Sequence, residues 1–176
     1  MKKLILKISL VVLFAGTLFI NTSNAQPINI GGGLVIGTSY PHFGLKVNGT
    51  YGMDFLLENL SASAAFTFFI PSTPVNTTYS RWAIDIDGHY KFYSMEKFDF
   101  YALAGINIAQ YSTKYEWTDF LGDDHVDRTS GTKPGLNAGA GAIYKFTDNL
   151  KGFGEFKYIM GRYDQAEITF GVLFAL

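Results

Sequence analysis

Past residue 25 the chain alternates between apolar and polar positions, most sharply in its last stretch, Ala166–Leu176. There Ile168, Phe170, Val172, Phe174 and Leu176 share one parity, and Glu167, Thr169, Gly171, Leu173 and Ala175 share the other. A period of two belongs to a β-strand with two unlike faces. A strand that runs to the last residue would leave a bare hydrogen-bonding edge unless something pairs with it. Pairing the last strand with the first removes that edge, so the pattern predicts a closed sheet.

The same alternation recurs upstream. A first strand is expected at about Ile28–Gly37, with Ile28, Ile30, Leu34 and Ile36 on one face. Its Gly31-Gly32-Gly33 run lacks the ending of a phosphate-binding loop and is read as a crowded stretch of sheet wall. The second strand, Phe43–Gly52, sets Phe43, Leu45, Val47 and Tyr51 against Lys46, Asn48 and Thr50. The third, Leu60–Ile70, sets Leu60, Ala62, Ala64, Phe66, Phe68 and Ile70 against Ser61, Ser63 and Thr67. The fourth, Trp82–Phe92, sets Trp82, Ile84, Ile86, Tyr90 and Phe92 against Asp85, Asp87, His89 and Lys91. The fifth, about Asp99–Trp117, has an unclear phase: Ile106 and Ile108 favour one register and Tyr101 and Leu103 the other, which allows for a bulge. The sixth, Lys133–Phe146, and the seventh, Leu150–Gly161, alternate again, the latter with Phe156, Tyr158 and Met160 opposite Lys151, Glu155 and Lys157.

The connections divide into short turns and longer loops. Met53–Asn59, whose apolar content would also fit one helical turn, Tyr93–Phe98 and Thr147-Asp148-Asn149 are the turns. Thr38–His42, the proline-containing Pro71–Arg81 and the acidic Thr118–Thr132 are loops, and Arg162–Gln165 leads into the last strand. Eight strands return the chain to its starting side. The expected architecture is an all-β, eight-stranded antiparallel up-and-down transmembrane β-barrel, its turns on the periplasmic side and its loops outside.

Composition narrows the setting. Lys2, Lys3 and Lys7 precede an apolar run, Ile8–Ile20, and Ser23-Asn24-Ala25 is a small-x-small cleavage site. Residues 1–25 are therefore read as a secretory signal and 26–176 as one barrel domain. The absence of cysteine excludes lipoprotein acylation and disulfides. Losing the three leader lysines makes a net charge of −1 three units more negative, which argues against a nucleic-acid partner. The chain is 48% hydrophobic, yet past residue 25 its longest charge-free apolar run is Ala62–Ile70, too short for a spanning helix. Hydrophobicity spread over alternate residues is what a membrane barrel requires.

Periodicity alone does not say which face points outward, because a water-soluble barrel has the same strands with its apolar face inside. Aromatic residues at strand ends on the apolar parity (Trp82, Tyr90, Phe92, Tyr144, Phe146, Tyr158, Phe43 and Tyr51) form the girdles of a lipid-facing surface. The polar parity mixes both charges with glycine, as a narrow lumen does. Tyr101-Ala102-Leu103-Ala104-Gly105, Gly135–Phe146, Gly152–Tyr158 and Ile168–Leu176 together resemble the eight-stranded outer-membrane barrels of the OmpX/OmpA type. This resemblance covers the mature chain. It implies a place in the outer membrane of a Gram-negative cell after signal cleavage, insertion by the barrel assembly machinery, and no single activity.

The chemistry is sparse. Lys46, Asp85, Asp87, His89, Lys91, Lys145, Lys151, Glu155, Lys157 and Glu167 are expected in the lumen. An eight-stranded barrel is filled by side chains, so these charges should pair into a structural network and plug it. Asp85, Asp87 and His89 could be taken for a proton relay or metal set, and Asp85-Ile86-Asp87-Gly88 echoes the start of a calcium loop without its terminal Glu. Structural pairing is the preferred reading, with no metal and no cofactor. Asp119, Asp123, Asp124 and Asp127 in the Thr118–Thr132 loop are binding candidates, through a divalent cation or by cation-bridged contact with lipopolysaccharide; a solvated loop is the bland alternative. His42 with Ser39, or His125 with Ser130, would be the residues of a lipid A-modifying enzyme, but no motif supports a triad. The sequence therefore points to a non-enzymatic monomer, in contact with outer-membrane lipid and lipopolysaccharide, with a structural or surface-interaction role carried by exterior loops. A small porin-like channel and a lipid A-modifying barrel are the alternatives.

Overall fold

The computed structural model describes residues 28–118, 124–162 and 164–176; residues 1–25, read above as a secretory signal, and Asp119 and Asp123 lie outside them. Eight strands, β1 (Ile28–Gly37), β2 (Phe43–Gly52), β3 (Leu60–Ser72), β4 (Thr77–Ser94), β5 (Phe98–Thr118), β6 (Asp124–Lys145), β7 (Leu150–Gly161) and β8 (Gln165–Ala175), follow one another around a closed antiparallel barrel. The last strand pairs with the first from Asn29↔Ala175 to Gly37↔Glu167. At this seam a Cβ on Gly31 or Gly33 would collide with the backbone carbonyl of Val172 or Phe170. The glycine run is thus where two strand backbones close the wall at short range.

The two parities face opposite environments. Ile84, Phe156 and Phe170 are 42%, 51% and 60% exposed, while Asp85, Lys157 and Glu167 are 1–2% exposed. Water would never leave a continuous ring of exposed Leu, Ile, Val and Phe around a buried ionic interior, whereas a bilayer requires it. The girdle residues Trp82, Tyr90, Phe92, Phe146, Tyr158 and Phe43 are likewise exposed. This is a transmembrane barrel.

Three expectations need correction. The fifth strand keeps one phase: Tyr101, Leu103, Asn107 and Ala109 are all buried in the lumen, and Ile106 and Ile108 face outward. The irregularity lies instead in β4, where the register shifts between Lys91 and Tyr93. Second, Pro71–Arg81 and Thr118–Thr132 are largely not loops. β3 runs to Ser72 through a register shift after Phe69, β4 starts at Thr77, and β5 and β6 pair from Phe98↔Tyr144 to Thr118↔Asp124. Beyond the membrane both faces of a hairpin meet water, so neither parity needs to be apolar and the period-two signal disappears. Third, the connections are short at both ends of the barrel; length beyond the wall is carried by a ribbon formed from β4, β5 and β6. Met53–Asn59 makes a single compact turn, with the Leu56 and Leu57 amides both donating to the Met53 carbonyl.

Candidate functional site

The polar parity builds a network that runs along the barrel axis. Near the ribbon end, Arg81 is fully buried: its guanidinium lies 3.4 Å from the centre of the Phe69 ring, donates to Glu167 Oε1 at 3.1 Å and contacts Gln165 Oε1. Glu167 also faces Lys157 Nζ at 3.8 Å, and Lys157 Nζ sits 2.8 Å from Asp85 Oδ2. The other oxygen of Asp85 accepts from Asn107 Nδ2 at 2.7 Å and Asn137 Nδ2 at 2.9 Å. The same Asn137 amide donates to Asp87 Oδ1 at 2.7 Å. Below it, Lys46 Nζ meets Glu155 Oε1 at 3.0 Å, the Tyr101 hydroxyl donates to Glu155 Oε2 at 3.0 Å, and the His89 ring stacks on Tyr101 at 4.7 Å. Arg81, Phe69, Lys157, Glu167 and Asp85 are each under 2% exposed, so the lumen is sealed at their levels.

Of the expected lumen residues, Lys46, Asp85, Asp87, His89, Glu155, Lys157 and Glu167 are buried together in this network. Lys91, Lys145 and Lys151 are half-buried at the end where β1 begins and β8 ends. There Lys145 Nζ pairs with Asp99 Oδ2 at 2.9 Å and Lys151 Nζ donates to Asn29 Oδ1 at 2.9 Å. They sit near the turns, where a long stem lets the ammonium reach water. Asp85, Asp87 and His89 point inward at successive levels; Asn137 bridges the two carboxylates, and the His89 ring lies on Tyr101. Asp124 and Asp127 belong to β6, opposite Thr118 and Tyr115, and are not loop residues. His125 and Ser130 have opposite parity on β6, so they face opposite sides of the ribbon. His42 Nδ1 is engaged by the Gly37 carbonyl at 3.0 Å.

Sequence reasoning missed Arg81, Gln165, Asn107 and Asn137. Arg81 was hidden by being assigned to a loop, although it shares the parity of Ala83 and Asp85. Asn107 lay in the strand of unclear phase. Tyr101 was missed because the phase of the fifth strand was open; Gly141 makes room for its ring, since a Cβ there would overlap it.

On the ribbon, the lumen-facing parity continues as Tyr79, Tyr111, Tyr115 and Trp117, and Trp117 stacks on His125 at 4.4 Å. β6 pairs with β7 only from Gly135↔Gly161 onward. Among the described residues, Asp124–Pro134 therefore has β5 on one side and no strand on the other.

No protein-family model matches the sequence, and no curated protein matches it. Solved structures do. Neisserial surface protein A aligns with a TM-score of 0.61 at 17% identity, over 84% of this chain and 95% of that one. The N-terminal β-barrel domain of Pseudomonas aeruginosa OprF aligns at 0.56 and 18%, over 86% and 98%. A major outer membrane protein from Thermus thermophilus aligns at 0.68 and 13%, over 87% and 100%. With the closed barrel and its exposed apolar band, these likenesses establish that the chain has the fold of the eight-stranded outer-membrane barrels.

Proposed function

We propose that this chain is an integral outer-membrane barrel, closed to solute passage and without catalytic activity, that acts by presenting its β4–β5–β6 ribbon outside the cell. The observation that carries this reading is the edge of β6 over Asp124–Pro134, which among the described residues has β5 on one side and no strand on the other. A strand edge of this kind offers a template to which an extended segment of another molecule can add as a further strand. The sealed lumen supports the absence of a pore. The barrel enters the membrane as a monomer through the assembly machinery, with its turns in the periplasm and lipopolysaccharide around its ribbon end. Secretion by a cleaved signal is part of the same reading.

The test replaces Thr113–Thr129 by Asn-Gly, which closes the hairpin at the Ser112↔Ser130 pair. The shortened barrel should still fold, as judged by different gel mobility before and after boiling. Cells carrying it should lose the adherence that the full-length chain confers. On intact cells, trypsin should cut the full-length chain at Lys114 or Arg128. Unchanged adherence would overturn the ribbon's role. Stepwise conductance in planar bilayers, or a change in lipid A mass on overexpression, would replace it with a channel or an enzyme.

A further inference from the structure

The network seals the middle of the barrel but not the end where β1 begins and β8 ends. There a cavity of about 150 Å³ opens below Tyr101, roughly ten times the space one buried water needs. His89 forms its floor at 8% exposure, and Thr50, Ser61, Lys91 and Asp99 stand around it. The turn after β2 helps to shape it, because the Lys91 amide donates to the Asn59 carbonyl at 3.0 Å. The register shift in β4 falls between Lys91 and Tyr93, beside the same cavity. Bulges bend a strand end and re-aim side chains, and they concentrate next to binding sites.

Its polar groups divide into spent acceptors and unspent donors. Asp99 is occupied by Lys145 at 2.9 Å and by the Ser94 hydroxyl at 2.7 Å, and Asp54 Oδ1 accepts from the Asn59 amide at 3.0 Å. The Thr50 hydroxyl accepts from Asn29 at 3.0 Å and keeps its own proton to give. Among the described residues, the Lys91 ammonium makes no ion pair, and neither ring nitrogen of His89 makes a hydrogen bond. Outside the lining, Lys145 is spent on Asp99 and Lys151 on Asn29, which leaves Lys91 as the ammonium of the lining that makes no salt bridge among the described residues. An ammonium with no salt bridge beside two hydroxyl donors favours a ligand that brings both acceptors and negative charge. We infer that this cavity is a binding site for a small oxyanion, a phosphate or a carboxylate, held by Lys91 with the Ser61 and Thr50 hydroxyls and His89. The site lies at the opposite end of the barrel from the ribbon, so it stands or falls apart from the adhesion reading.

The mature chain, refolded in detergent micelles with its imidazole groups isotope-labelled, is titrated with inorganic phosphate and separately with acetate. Chloride at matched ionic strength is the control. The His89 ring resonances should shift and saturate, with a dissociation constant of about 1 mM or tighter for at least one anion. Phosphate alone acting marks a phosphate site, and acetate acting as well extends the class to carboxylates. Lys91→Met should weaken binding at least tenfold and Ser61→Ala several-fold, in barrels that keep their heat-shifted gel mobility. Lys114→Met, out on the ribbon, should leave binding unchanged. Shifts no larger than those with chloride would overturn the site. So would equal affinity in Lys91→Met, or, should that variant fail to fold, equal affinity in Ser61→Ala.

Discussion

Replacing Lys157 by Met tests whether the lumen charges hold the barrel together. Lys157 is 1% exposed and faces both Asp85 at 2.8 Å and Glu167 at 3.8 Å. Within the central network, Lys46, Arg81 and Lys157 oppose Asp85, Asp87, Glu155 and Glu167, while Asp99 is paired separately with Lys145. Without Lys157, two cations remain against four carboxylates, and Asp85 keeps only the amides of Asn107 and Asn137. Breaking a buried ion pair from one side costs about 3–5 kcal/mol, because the abandoned charge stays desolvated. The loss should fall at the upper end, since two carboxylates lose the same cation. Adding Asp85→Asn removes the stranded charge while leaving an oxygen to accept from Asn107 and Asn137. The double variant should therefore return to within about 1 kcal/mol of the parent. Urea titrations in micelles, followed by the fluorescence of Trp82 and Trp117 and by gel mobility, measure all three. A loss under about 1 kcal/mol for the single variant, the value of an exposed pair, would refute the reasoning. So would a double variant at least as unstable as the single one.

Ile84→Arg puts a charge on the lipid face and should cost about 2–4 kcal/mol in the same titration, whereas Ser130→Arg on the ribbon should be nearly silent. Gly141→Ala drives a methyl into the Tyr101 ring; it should cost about 1–3 kcal/mol by overpacking, and Tyr101→Ser should recover part of that. Purified protein in planar bilayers should give no stepwise conductance, because side chains under 2% exposed close the lumen around Arg81 and Lys157.

The barrel was legible wherever a strand has lipid on one side and lumen on the other. From Leu60 to Phe69 and from Trp82 to Tyr90 every residue falls on the face its parity predicts, because burial of one face imposes the period. Legibility failed where that asymmetry ends. Thr77–Arg81 and Asp124–Thr132 are strands with polar residues on both sides, and composition alone made them look like loops. Tyr101 and Leu103 failed for a different reason: they are apolar residues in a mostly polar interior, and only the phase of β5 reveals them. The lumen charges could be assigned to a face but not to partners. Lys46–Glu155 joins β2 to β7 and Arg81–Glu167 joins β4 to β8, pairings set by barrel closure and not by sequence neighbourhood.

These pairings also bear on why the barrel closes in one register. Backbone hydrogen bonds between neighbouring strands are much alike in any register, so they do not distinguish the native alignment from a slipped one. Three ionic contacts do, because they join strands that are not neighbours in the wall: Lys157 of β7 reaches Asp85 of β4, Lys46 of β2 reaches Glu155 of β7, and Arg81 of β4 reaches Glu167 of β8. A slip of one residue in β7 would turn Glu155 and Lys157 toward hydrocarbon and Phe156 and Tyr158 into the lumen. Lys157 alone would then cost about 2–4 kcal/mol near the midplane, and Asp85 would be left buried without its cation. A slip of two residues would restore the faces but move Lys157 by about 7 Å along the strand, beyond the reach of its salt bridge to Asp85. The interior charges thus penalise odd slips through the membrane and even slips through their lost partners, which gives a sealed lumen a reason to be ionic.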